Sequence, residues 1–115
     1  MAQVKSINAV TLHTVDMAAS VGFYAHLGFT VTFGGETASF TTMSSGDCHV
    51  NLTTEGVTCS WGRVIFHVDD VDGLYERAVA AGLQPDASPS DAPWAERYFP
   101  IHDPSGHDLS FAKRL

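Results

Sequence analysis

The chain has 115 residues, of which 44% are apolar and 17% are charged, a composition that suits one folded domain and excludes a disordered chain. Thirteen acidic residues against six Lys and Arg give a net charge of −7. We therefore expect no binding to the phosphate backbone of DNA or RNA, and none to an anionic membrane.

The N-terminal segment MAQVKSINAVTL lacks the apolar core and the small-residue cleavage site of a signal peptide. No stretch approaches the roughly 18 apolar residues that a membrane span needs. Cys48 and Cys59 have neither the spacing of a zinc site nor the pattern of a disulfide framework. These features predict a soluble protein of the reducing cytoplasm.

The first half predicts one strand, one helix and three further strands. The strand lies around Val10–His13, and the helix lies between Asp16 and Gly28, because Asp is favoured at a helix N-cap and Gly at the left-handed position after a helix. Apolar residues recur at helical spacing between them, at Met17, Val21, Tyr24 and Leu27. The three strands are predicted at residues 29–33, 38–43 and 48–53.

The second half repeats this pattern, since a shift of 54 residues places the first strand, helix start and glycine on Val64–His67, Asp70 and Gly82. Strands are predicted here at residues 84–86, 97–102 and 108–112, with a loop at 87–93 and a turn at 103–106. The sequence thus predicts an α+β fold of two βαβββ modules, about residues 5–53 and 61–113. A linker, residues 54–60, joins them within a single domain, residues 1–115.

Short segments of both halves carry a further pattern, namely Ile7–Leu12, Asp16, Phe23-Tyr24, Leu27–Phe29, Phe66, Val68–Val71, Ala81-Gly82 and Asp103–Gly106. In these segments the chain resembles the vicinal oxygen chelate superfamily, which includes glyoxalase I, extradiol dioxygenases, fosfomycin-resistance enzymes and bleomycin-resistance proteins. The resemblance implies paired modules whose curved mixed sheets enclose a cavity, commonly completed by a two-fold partner. It therefore implies a homodimer that binds a small molecule.

Enzymes of that superfamily hold one divalent metal with four side chains, typically His, Glu or Gln, His and Glu. The corresponding positions here are Ala9, Asn51, Arg63 and Ser110. A methyl group has no donor atom, and a guanidinium is permanently cationic. We therefore expect no metal, no cofactor and no catalytic residue, as in the metal-free bleomycin-resistance-like branch.

Candidate ligand-binding residues fall into three chemical groups. Aromatic side chains offer flat surfaces for stacking, guanidinium groups can clamp a carboxylate or phosphate, and smaller polar groups line the former metal centre. The candidates are Phe40, Trp61, Trp94 and Phe99, then Arg63 and Arg97, then His49, Asn51 and Ser110. Core or dimer packing is the alternative for Trp61 and Phe99. Pairing with Glu96 or Asp108 is the alternative for Arg63, and simple solvation is the alternative for Arg97.

The function that these expectations favour is metal-independent binding of an apolar or aromatic small molecule, with antibiotics among the candidate ligands. The net charge of −7 would draw cationic ligands of that kind. The alternative is a lyase, isomerase or dioxygenase that uses either an atypical metal site through His49 and His67 or metal-free acid-base chemistry. A scaffold without any ligand is a third hypothesis.

Overall fold

The computed structural model describes residues 2–59 and 61–115, and backbone contacts divide the chain into two compact units, Met1–Val57 and Thr58–Leu115. Each unit contains one helix and one four-stranded mixed sheet in βαβββ order, which confirms the predicted α+β fold. Within the described part of the chain, no helix is long and apolar enough to cross a bilayer.

Unit 1 consists of β1 (Ala9–His13), α1 (Met17–His26), β2 (Thr30–Phe33), β3 (Phe40–Ser45) and β4 (Cys48–Thr53). Its sheet has the order β1-β4-β3-β2, with β1 parallel to β4 and the other pairs antiparallel. The register between β2 and β3 shifts between Val31 and Phe33, as at a β-bulge.

Unit 2 consists of β5 (Arg63–His67), α2 (Val71–Ala80), β6 (Ser90–Ala92), β7 (Glu96–His102) and β8 (Asp108–Arg114). Its sheet repeats the arrangement of unit 1, with the order β5-β8-β7-β6 and β5 parallel to β8. The duplication found in the sequence is therefore a duplication of topology.

One predicted strand was wrong. Residues 84–86 form no strand, and β6 lies instead within the segment predicted as a loop. Pro85 has no N–H to donate to a sheet. Asp91 on β6, in contrast, pairs across the hairpin with Arg97 at 2.9 Å.

Both helices begin and end as predicted. Asp16 accepts a hydrogen bond from the Ala19 N–H at 3.1 Å, and Asp70 accepts one from the Gly73 N–H at 2.9 Å. Gly28 and Gly82 follow the helices with φ of 99° and 85°, a conformation that a side chain would strain.

Each helix covers one face of the sheet of its own unit. The buried residues beneath α1 include Leu12, Met43, Val50 and Leu52, and those beneath α2 include Phe99, Ile101, Leu109 and Phe111. Because alternate residues of a strand point to opposite faces, their strand neighbours point away from the helices. We call this second side of each sheet the open face.

Candidate functional site

The open faces of the two sheets carry corresponding rows of side chains, which the strand register defines. In unit 1 the rows are Ala9–His49–Ser44, Thr11–Asn51–Thr42 and His13–Thr53–Phe40. In unit 2 they are Arg63–Asp108–His102, Ile65–Ser110–Pro100 and His67–Ala112–Tyr98. The four positions implied by the superfamily resemblance therefore all lie on open faces.

The centre of the unit 1 open face is a hydrogen-bonded polar row. Thr42 Oγ1 donates to Asn51 Oδ1 at 2.7 Å, and Asn51 Nδ2 donates to Thr11 Oγ1 at 3.2 Å. In the next row, His49 Nδ1 lies 2.7 Å from Ser44 Oγ. Asn51 and His49 are thus held in place by neighbours on the same sheet.

An aromatic pair lies at one end of the unit 1 open face. Phe40 and Phe33 have ring centroids 6.4 Å apart and are 37% and 64% exposed. Phe40 was a candidate from the sequence, whereas Phe33 was missed. The bulge after Val31 pairs Phe33 with Thr42, and such a register shift has no clear signature in the amino-acid pattern.

Arg63 lies in the first row of the unit 2 open face and forms an ion pair there. Its Nε lies 3.7 Å from Asp108 Oδ2, and the two side chains are 47% and 37% exposed. Of the two partners considered from the sequence, the structure thus places Asp108, not Glu96, beside the guanidinium. At this exposure, the guanidinium remains accessible to solvent.

Ser110 lies in the middle row of the same face but is covered. The residue is only 3% exposed, and among the described residues its buried Oγ has no hydrogen-bond partner. Its row neighbour Ile65 is 56% exposed, although it is a large apolar side chain at the middle of β5. A polar atom without a partner and an exposed apolar side chain thus lie next to each other.

The hairpin between β6 and β7 carries a preorganised aromatic group. The Trp94 indole is 61% exposed, yet its Nε1 donates to Glu96 Oε1 at 3.0 Å and its ring lies 5.9 Å from the Tyr98 ring. The other Glu96 oxygen lies 3.0 Å from His67 Nε2. Glu96 therefore orients an indole and an imidazole at one end of the open face.

Phe99 does not belong to this candidate site. Its ring is fully buried on the helix-facing side of β7, between Phe111 at 5.5 Å and Tyr75 of α2 at 5.5 Å. The expected ligand contact is therefore corrected to core packing. Tyr98, one residue earlier, occupies the open face instead.

Arg97 is also removed from the candidate site, since it lies on the same helix-facing side. Its Nε and Nη2 donate to the two Asp72 oxygens at 2.9 Å each, and its Nη1 donates to Asp91 at 2.9 Å. The hydrogen bonds from Arg97 lower the pKa of Asp72, and the same carboxylates raise the pKa of Arg97. Its guanidinium braces α2 and β6 against β7.

Trp61 borders a cleft of about 200 Å³ in unit 2, which reaches His102 and Asp108 of the first open-face row. Its Nε1 donates to His107 Nδ1 at 3.4 Å, and the indole is 53% exposed. The cleft is lined by Thr58, Cys59, Trp61, Gly62, His102, Gly106, His107 and Asp108. Trp61 is thus attached to unit 2 through its indole N–H while its ring stays accessible.

The four positions implied by the resemblance do not fit the superfamily's metal ion. Ala9 has no donor atom, and Arg63 brings a cation already paired with Asp108. The Asn51 amide oxygen accepts from Thr42, and the Ser110 hydroxyl is buried. A divalent ion takes imidazole or carboxylate ligands in such enzymes, and none of these four residues provides one.

Comparisons with known proteins agree with this architecture. The family model described as Glyoxalase/Bleomycin resistance protein/Dioxygenase superfamily matches residues 6–111. A curated Mycobacterium bovis protein named "Putative glyoxylase CFP32" is 35% identical over 79 residues, which are 65% of this chain and 30% of that protein. The chain thus spans about a third of the length of the curated relatives that it matches.

Two solved structures share the fold over nearly the whole chain. TioX from Micromonospora sp. ML1 is 26% identical, with a TM-score of 0.75 over 96% of this chain and 100% of its own. A bleomycin-binding protein complexed with bleomycin is 21% identical, with a TM-score of 0.76 over 97% of this chain and 100% of its own. The chain belongs to the Glyoxalase/Bleomycin resistance protein/Dioxygenase superfamily.

Proposed function

We propose that this protein binds a planar small molecule on its open sheet faces, without a metal ion at the four superfamily positions. The observation that carries the proposal is the exposed aromatic group at Trp94, held by Glu96 and Tyr98. Exposed side chains of this size usually move freely, and fixing one before binding lowers the entropy lost when a ligand stacks on it.

The charge of the site favours a ligand with a cationic group. The Glu96 carboxylate lies directly beside the indole, and the whole chain carries −7. Aromatic faces next to a carboxylate attract planar cations through both stacking and charge. Arg63, at the far row of the same sheet, adds a donor for an acidic or carbonyl group of the same molecule.

The solved bleomycin-binding relative supports antibiotic sequestration as the biological role. Binding without turnover agrees with the residues at the four superfamily positions, since Ala9 and Arg63 supply no ligand for a Lewis-acidic metal ion. In this proposal, the protein protects a cell by holding the compound. Resistance is thus proposed as a consequence of stoichiometric binding.

Isothermal titration of chelator-treated protein tests the proposal. Bleomycin and a panel of planar cationic antibiotics are titrated before and after removal of metals with EDTA. We expect at least one compound to bind with about one molecule per chain, and we expect this binding to persist after EDTA treatment. Binding that appears only after a divalent metal is restored, or no binding and no thermal stabilisation by any compound, would refute it.

A glyoxylase-like activity is the second candidate, because the curated mycobacterial relative carries that name at 35% identity. Such an activity requires an electrophile or a base outside Ala9, Asn51, Arg63 and Ser110. Assays with 2-oxoaldehyde and thiol adducts separate the two functions, since turnover that EDTA abolishes and zinc restores favours the enzyme.

We also propose that the protein acts as a homodimer. Large apolar side chains are exposed on both sheets, among them Phe33 at 64% and Ile65 at 56%. Exposed apolar groups of this size favour association with a second surface. Light scattering coupled to size exclusion is expected to give about twice the monomer mass of 12.3 kDa, and a monomer mass would refute a dimer.

The proposed location is the cytoplasm. Cys48 and Cys59 are free and exposed, as is usual where thiols are kept reduced. Fractionation of cells that express the tagged chain tests this location.

A further inference from the structure

A cluster of metal-ligating side chains lies at one corner of unit 2, away from Trp94. It consists of Asp86, His102 and Asp108, each of which offers one ligand atom within 4.8 Å of the others. The three residues come from different parts of the unit, namely the segment after α2, the end of β7 and the start of β8. None of them is among the four superfamily positions.

The backbone fixes all three residues of this cluster. His102 and Asp108 are register partners on β7 and β8, on either side of the turn Asp103–Gly106. That turn is closed by Gly106 N–H to Asp103 O at 2.9 Å and by two hydrogen bonds to the Asp103 carboxylate. Asp86 is anchored by its N–H, which donates to Pro100 O at 2.9 Å.

The two ring nitrogens of His102 lie at different distances from the two neighbouring carboxylates. Nδ1 lies 2.6 Å from Asp86 Oδ2, a short hydrogen bond, whereas Nε2 lies 3.8 Å from Asp108 Oδ1, too far for one. In the neutral ring the proton therefore lies on Nδ1, and Nε2 presents a lone pair toward a carboxylate oxygen. Two electron-pair donors thus face each other across a gap.

A divalent cation fits this gap. Zinc bonds of about 2.0 to 2.2 Å at a tetrahedral angle place two ligand atoms about 3.3 to 3.6 Å apart, so a closure of a few tenths of an ångström suffices. A carboxylate on the opposite nitrogen is the usual partner that orients a metal-bound histidine. The 200 Å³ cleft lined by His102 and Asp108 leaves room for water on the remaining positions.

We propose that His102 Nε2 and Asp108 Oδ1 bind a divalent transition-metal cation of the zinc class, with Asp86 as the positioning residue. The site shares the row Arg63–Asp108–His102 with the proposed organic ligand, but its two ligand residues are distinct from Trp94 and Glu96. An imidazole nitrogen and a carboxylate oxygen are ligands that suit a cation of this class. Arg63, 3.7 Å from Asp108 Oδ2, competes with the cation for the same carboxylate.

Zinc titration by calorimetry tests the site, in a parent in which Cys48→Ser and Cys59→Ser remove the two exposed thiols. We expect one zinc per chain, an affinity at least about 10-fold lower in His102→Ala and Asp108→Asn, and about 10-fold lower in Asp86→Asn. Arg63→Gln is expected to raise the affinity, since it removes the competing cation.

The matched control is His67→Ala, because His67 lies on the same face and also pairs with one carboxylate, Glu96 at 3.0 Å. It is expected to bind zinc like the parent. Long-range ¹H–¹⁵N correlation spectra of the histidine rings should show a zinc-induced shift of the His102 Nε2 signal. No zinc binding by the parent, undiminished binding in His102→Ala, or an equal loss in His67→Ala would overturn the proposal. His102 is half exposed, so its replacement is not expected to unfold the chain.

Discussion

Glu96 accepts the indole N–H of Trp94 at 3.0 Å, so the carboxylate next to the hairpin tip fixes the most exposed ring of unit 2. The same carboxylate holds His67 through its other oxygen. Glu96 thus orients an aromatic side chain at one end of the open face and places a negative charge beside it. The proposed ligand, a planar molecule with a cationic group, follows from this combination of ring and charge.

Replacing Trp94 with Ala is expected to weaken ligand binding by about 1 to 3 kcal/mol, since the stacking surface is lost. Titration of a compound identified in the binding panel measures this. Val79→Ala, which removes an exposed apolar group from α2, is the control and should leave the affinity unchanged. Equal affinity in Trp94→Ala and the parent would assign the indole to folding alone.

Replacing Ser110 with Ala is expected to stabilise the protein by about 1 kcal/mol, because the change removes a buried hydroxyl that lacks a partner. Ser20→Ala is the matched control. Ser20 is equally buried, but its Oγ lies 2.7 Å from Thr14 Oγ1, so its loss should destabilise by about 1 kcal/mol. Urea denaturation measures both, and a Ser110→Ala variant that is less stable than the parent contradicts the prediction.

Replacing Ala95 with Gly is expected to raise the free energy of unfolding by about 0.5 to 1 kcal/mol. Ala95, next to Trp94 in the hairpin, has a φ of 67°, where a Cβ is strained and glycine is not. Ala92→Gly, in the adjacent strand β6, should destabilise instead, because that position is extended and buried. Thermal and urea unfolding of both variants gives the comparison, and a destabilised Ala95→Gly argues against strain.

The ion pair of Asp72 with Arg97 should make stability depend on pH on the acidic side. The pKa of Asp72 in the folded protein lies below its ordinary value of 3.8 because Arg97 donates hydrogen bonds to the carboxylate. The resulting stabilisation is complete above that ordinary value and disappears as the pH falls through the lower folded value. The stability advantage of the parent over Asp72→Asn should therefore be constant near neutral pH and shrink below about pH 4.

Denaturation curves from pH 2 to 8 measure this difference, with Glu76→Gln on the same helix as the control. The advantage should also decrease at high salt, because the pair is exposed. An advantage that persists unchanged at pH 2 is incompatible with this ion pair.

The fold could be predicted from the sequence because short sequence patterns indicate its helix ends and its internal repeat. Asp16 and Asp70 as caps, Gly28 and Gly82 as helix ends, and the 54-residue repeat each follow from short patterns. The strand at 84–86 was wrong, since the choice between two short polar segments depends on which one pairs with β7.

The candidate site was harder to predict from the sequence, because it depends on which alternate residues of each strand point to the open face and which point to the helix. Tyr98 and Phe99 are adjacent and both aromatic, and only the position of α2 decides which of them is buried. Arg97 was misassigned for the same reason. The approach of Asp86 to His102 joins residues from separate elements, and no spacing in the sequence indicates it.

The indole N–H signals of the two tryptophans offer the most direct test of metal-independent binding on the open face. Nitrogen-15 spectra are recorded in EDTA while a ligand from the binding panel is added. We predict that the Trp94 signal and the amides of β7 and β8 shift with saturation in EDTA, where no free divalent metal is present. A Trp94 signal that stays fixed, or one that shifts only when a divalent metal is present, would contradict the proposed function.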